Sequence, residues 1–100
     1  MVKLQIKEKF EGPNPGEVFE ASKAAFKEMG MEILKVRAFA FLLQARMTAK
    51  EDLINANLLV SNFEDEFTLS LSSEAADQEL LDDLAIKFVD TLNKILHEQG

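Results

Sequence analysis

The sequence predicts an α+β domain in which an antiparallel sheet carries two helices packed on one face, in the order β-α-β-β-β-β-α. Three observations predict it. Val2, Leu4 and Ile6 alternate with Lys3, Gln5 and Lys7, and Phe67, Leu69 and Leu71 alternate with Thr68, Ser70 and Ser72, the period of strands buried on one side. Asn14-Pro15-Gly16-Glu17 has the chemistry of a helix start. Leu81, Leu84, Ala85, Phe88, Leu92, Ile95 and Leu96 fall on one long helical stripe.

The first strand ends at Glu8 or Lys9, and Glu11 to Glu17 is a loop feeding the first helix. Asn14 is the expected N-cap, Pro15 has the fixed φ suited to the first helical position, and Glu17 completes a capping box. The helix runs to about Met29. Val18, Ala21, Ser22, Ala25 and Met29 share a face, flanked by Phe19 and Phe26, while Glu17, Glu20, Lys23, Lys27 and Glu28 point outward. Small residues at 22, 24 and 25 imply close approach to the sheet, and Gly30 sits where a helix C-terminus turns left-handed.

Met31 to Arg37 reads as a strand. Ala38 to Ala49 has two readings. Phe39, Phe41, Leu43, Ala45 and Met47 alternate with Ala40, Leu42, Gln44, Arg46 and Thr48, yet Ala, Leu, Gln, Arg and Met are good helix formers. Two strands joined near Arg37–Ala38 are preferred over one helix across 38–53, although no Gly, Pro or Asn marks the turn. Leu53 to Phe63 is the next strand, with Asn55 and Asn57 on one face and Ile54, Leu58 and Val60 on the other; residues 62–66 form a hairpin loop. Ser73 or Asp77 caps the last helix, with Glu74 and Glu79 near its positive end, and the helix is expected to end at Gly100.

One hundred residues make one domain with room for one core. The N-terminus lacks the apolar run of a signal peptide, and Ala38–Ala45 is far too short to span a bilayer. Absence of cysteine fits a reducing compartment, so a soluble cytoplasmic protein is expected. Charge is uneven: residues 1–50 hold nine Lys/Arg against six Asp/Glu (+3), and residues 51–100 hold two against twelve (−10). Such a split fits association with an acidic partner or head-to-tail self-association, or simply acids gathered on a solvated helix.

The inventory removes most catalytic chemistry. There is no thiolate, and the one histidine, His97, lies near the chain end, where a cation suits the helix dipole. Glu64-Asp65-Glu66 lacks the ligand spacing and glycine of a calcium loop, and Asp82 and Asp83, adjacent on a helix, diverge. Gly12-Pro13-Asn14-Pro15-Gly16 lacks the Gly-Lys-Ser/Thr of a phosphate loop. Met29, Met31 and Met47 read as core filler. No catalytic, metal or cofactor site is assigned.

The polar alternation points instead to binding. With both helices on one face, Lys3, Gln5, Lys7, Gln44, Arg46, Asn55 and Asn57, with Thr48, Thr68, Ser70 and Ser72, would share the other. Those first seven are the candidate partner-binding residues. The leading expectation is a non-enzymatic domain binding a protein partner, or itself, through this face or an edge strand. The alternative is a carrier of a small apolar ligand, with Phe39, Phe41, Phe67, Leu71, Phe88 and Leu92 lining a cavity under the last helix. Nucleic acid ranks third, because the phenylalanines fall on the apolar alternation and leave no stacking platform.

The run Ala21-Ser22-Lys23-Ala24-Ala25-Phe26-Lys27-Glu28-Met29-Gly30-Met31-Glu32-Ile33-Leu34, followed by strands and a terminal amphipathic helix, resembles small uncharacterised prokaryotic α+β domains of unknown function, including archaeal ones. The resemblance lies in layout. It implies a compact domain with no assigned activity and carries over no site residues.

Overall fold

The structure, a computed structural model, describes residues 1–99. Its elements are β1 (Val2–Lys9), α1 (Pro15–Glu28), β2 (Glu32–Arg37), β3 (Leu42–Ala49), β4 (Asp52–Val60), β5 (Glu66–Ser73) and α2 (Gln78–Gln99). The five strands form one antiparallel sheet in the order β1-β5-β4-β3-β2. The last four are a meander; β1 joins its far edge beside β5.

Local chemistry sets the helix ends. The Asn14 side-chain oxygen accepts from the Glu17 N–H at 2.9 Å, and the Glu17 carboxylate accepts from the Asn14 N–H at 3.1 Å, a reciprocal capping box that satisfies two amides. At the other end Gly30 takes φ +81°, its N–H donating to the Lys27 carbonyl at 3.0 Å while the Met31 N–H donates to the Phe26 carbonyl at 2.9 Å. That bond pair is a Schellman motif, which needs a left-handed residue where glycine stands. For α2 the cap is Asp77, whose carboxylate accepts from the Leu80 N–H at 2.9 Å. Ser73, the other expected cap, is buried and accepts instead from the Ala76 N–H at 3.1 Å in the preceding turn. The expected end of α2 at Gly100 lies outside the described residues.

Residues 38–53 form no single helix: β3 runs from Leu42, and its join to β2 occupies residues 38–41, later than the expected Arg37–Ala38. Ala38–Ala40 make a single 3₁₀ turn, and Phe41 supplies the left-handed step, at φ 52°. That conformation costs a non-glycine residue about 1–2 kcal/mol. Two contacts hold it: the Phe41 ring lies 5.4 Å from Phe19, and the Phe41 carbonyl accepts from the Val60 N–H at 3.0 Å. Phe39, expected on the buried alternation, therefore sits in the turn and is wholly exposed. Lys50 and Glu51, both at positive φ, form the two-residue connection from β3 to β4. β4 stops at Val60, short of the expected Phe63, which is exposed in the loop; the Ser61 hydroxyl accepts from the Phe63 and Glu64 amides at 3.2 Å and turns the chain there.

Both helices pack on one face of the sheet. The core gathers Val18, Phe19 and Phe26 from α1, Leu81, Phe88 and Leu92 from α2, and Leu43, Ile54, Leu58 and Leu69 from the strands. Phe88 is the hub, with ring centroids 4.9 Å from Phe26 and 6.0 Å from Phe67. Ser22 is fully buried because its hydroxyl donates to the Val18 carbonyl at 2.7 Å. Met29 and Met31 are buried and Met47 half-buried, in keeping with core filling.

Candidate functional site on the open sheet face

Directly opposed residues of an antiparallel pair share a face, so the register decides what the uncovered side presents. One rung reads Lys3–Ser72–Asn55–Arg46–Glu32. The next reads Gln5–Ser70–Asn57–Gln44–Lys35, and the third Lys7–Thr68–Leu59–Leu42–Arg37. All seven candidate residues, Lys3, Gln5, Lys7, Gln44, Arg46, Asn55 and Asn57, stand in these rungs.

Side-chain length shapes the surface. Short Ser, Thr and Asn side chains occupy the middle strands, while Lys3, Gln5 and Lys7 wall one side and Gln44, Arg46, Lys35 and Arg37 the other. The result is a shallow trough. A depression of ≈ 500 Å³ is bordered by Lys3, Gln5, Asn57, Ser70 and Ser72, and another of ≈ 180 Å³ by Leu34, Gln44, Asn55 and Asn57. Asn57 lies in both. The amide of Gln5 donates to the Ser70 hydroxyl at 3.5 Å, a long contact that leaves both groups free to turn to a ligand. Arg46 is tied to Glu32 across the sheet, Nε to carboxylate at 3.1 Å. Lys7, Lys35 and Arg37 stand in rungs without an acid.

Part of this face was not anticipated from sequence. Leu34, Leu53 and Leu59 are about half exposed on it, and Leu42 joins them. For Leu42, Leu53 and Leu59 the signal was present: they share parity with Gln44, Asn55 and Asn57. For β2 no such signal exists. A bulge between Ile33 and Lys35 shifts the register, so Glu32 and Lys35 face the same way although three apart. That bulge adds Lys35 and Arg37 to the basic wall.

Apart from Glu32, which Arg46 pairs, the exposed acids of α2 and of the β4–β5 loop lie elsewhere. Glu79, Asp82, Asp83 and Asp90 are exposed on α2, which covers the opposite face, and Glu64 and Asp65 are exposed in the β4–β5 loop. Among the described residues, no three His, Asp or Glu side chains are grouped so as to hold a metal ion. No described helix is long and apolar enough to cross a membrane. The sequence matches no family model, and no curated protein matches it. Among solved structures, "Crystal structure of Ara h 8.0201" aligns over 96% of this chain and 99% of that one, at 9% identity and a TM-score of 0.38. So distant a likeness carries no argument about function.

Of the residues expected to line an apolar cavity, Phe67, Leu71, Phe88 and Leu92 are buried against other core side chains, and Phe41 half-buried on Phe19. Phe88 is packed on all sides, but a cleft of ≈ 460 Å³ opens at the C-terminal end of α2, with Phe10, Val18, Leu96 and two of the expected lining residues, Phe67 and Leu92, as its apolar floor and Lys9, Glu11, Asn93 and His97 at its rim.

Proposed function

We propose that this chain is a cytoplasmic protein-interaction domain that acts by binding, without catalysis, and that its open sheet face receives an acidic surface of a protein partner. The trough carries the reading: polar groups along its floor, cationic side chains on both walls, and no helix over it. Exposed amides and hydroxyls on a rigid sheet offer directional hydrogen bonds, and flanking cations steer an acidic partner to them. The half-exposed leucines add apolar area that a partner would remove from water. Protein is favoured over nucleic acid because no phenylalanine stands in the three rungs, so stacking has no platform along them.

The test is binding of a glutamate-rich peptide, followed by amide shifts of labelled protein. Shifts should gather on Gln5, Gln44, Asn55, Asn57 and Ser70. A Lys3/Lys7/Arg46→Glu triple variant should abolish them while staying folded, whereas Lys23→Glu and Lys27→Glu, on α1, should not. Retention of binding by the triple variant would defeat the reading. Sedimentation of the free protein distinguishes self-association from binding to another chain.

The cleft at the end of α2 favours a second reading, carriage of a small amphipathic molecule. Its volume and apolar floor fit the usual range of ligand sites. Native mass spectrometry of freshly purified protein, with thermal shifts against fatty acids, decides it. An unliganded mass with no shift counts against carriage.

A further inference from the structure

The two edges of the sheet are built differently. β2 is short, six residues, and bulged, which disrupts pairing with any further strand. β1 is eight residues long, runs in unbroken register against β5, and has a strand neighbour on one side only. Its other side presents main-chain N–H and C=O groups in the spacing a further strand requires.

A groove runs along that free edge. Leu4 and Ile6 of β1 form one wall, Ala85, Ile86 and Val89 of α2 the other, and the space between is ≈ 450 Å³. Ile86 is 62% exposed although it borders the groove, so its apolar surface is unspent on this fold. Glu8, Asp82 and Asp90 rim the same groove. On the opposite face of β1 stand Lys3, Lys7 and Lys9.

We infer that the free edge of β1 accepts an extended peptide segment as a sixth strand, with apolar side chains entering the β1–α2 groove and acidic side chains meeting Lys3, Lys7 and Lys9. The two rows of charge fix the pattern. Acids on alternate positions of the segment meet the lysines in one register; a slip by one residue drives them against Glu8, Asp82 and Asp90. Main-chain bonds supply attachment and the groove supplies side-chain selection. A second copy is a poor occupant. With the helices of both copies on one side of a joined sheet, the registers using the middle of β1 set Lys3 against Lys7 or against Lys9, and like charges directly opposite destabilise. The inference adds a second surface to the binding reading above and does not depend on it.

The test uses the full chain, isotopically labelled, and two synthetic peptides matching the length of β1, one alternating valine and glutamate, the other valine and lysine. The glutamate peptide should shift the amides of residues 2–9 and 82–90, with β2 unmoved, and should bind at least about tenfold more tightly than the lysine peptide. Ile86→Arg, at an exposed position, should weaken it about tenfold or more; Ile86→Ser, which removes the same apolar wall, serves if that variant does not fold. Lys3→Glu with Lys7→Glu should reverse the peptide preference. Four results would overturn the inference; three are no shift at millimolar peptide, binding unchanged by Ile86→Arg or Ile86→Ser, and shifts confined to Asn55, Asn57 and Arg46. The last would leave the sheet-face reading standing while removing this one. A dimer joined through β1 and dispersed by peptide would make the occupant a second copy and equally overturn it.

Discussion

At the scale of single residues, Asn14 gives the sharpest prediction. Its side chain accepts one otherwise unpaired helix amide, so Asn14→Ala should lower unfolding free energy by about 1 kcal/mol, read as a fall in denaturation midpoint at constant slope. This cap was legible because all its determinants are local: four consecutive residues, Asn14 to Glu17, carry the whole motif. The caps at residues 73 and 77 were less so, since both side chains can accept an amide and only the tertiary position of β5 buries Ser73 in its turn. Phe41 was illegible. A phenylalanine at φ 52° has no local reason to adopt that conformation; contact with Phe19, distant in sequence, supplies the reason.

At the scale of elements, α2 is the member whose packing face the sequence marks best. Leu84 and Phe88 both lie in the buried stripe, Phe88 wholly. Leu84→Ala should destabilise by about 2–5 kcal/mol and Phe88→Ala by about 3–5 kcal/mol, measured by chemical denaturation, since each leaves a cavity between helix and sheet. The larger loss belongs to Phe88, which deletes two ring contacts at once. Tolerance of both would mean that α2 packs elsewhere. Residues 38–53 show the limit of periodicity. Alternation in 42–49 was correct, but extended back through Phe39 it placed a solvated ring in the core, because a 3₁₀ turn breaks the period without glycine or proline to announce it. The β2 bulge hid Lys35 and Arg37 from the candidate face in the same way.

At the scale of the whole molecule, the charge split along the chain becomes a split between two faces. The C-terminal acids on α2 cover one side of the sheet, and the basic rungs occupy the other. Binding to the sheet face should therefore weaken steeply as salt rises from about 0.01 to 0.15 M, where screening shortens from about 30 to 8 Å. Titration of the glutamate-rich peptide at several salt concentrations checks this; a salt-independent affinity would mean the cations take no part. The fold class followed from strand alternation together with the Asn14–Glu17 helix start and the α2 stripe, and the placing of the seven polar residues on one face from alternation alone. Shape did not: the trough depends on which strands are neighbours, and β1 lies beside β5 rather than β2. That placement reaches into how the molecule is made. β1 partners residues 57 to 71 positions later in the chain, from Lys9↔Glu66 to Val2↔Ser73. A ribosome delivers β1 long before β5 exists to receive it, while β2 to β5 pair with sequence neighbours as they emerge. Closing so long a loop is the slowest of the strand pairings on entropic grounds. β1 is thus the last strand of this sheet to be seated, and until then the edge of β5, which carries no lysine, stands open.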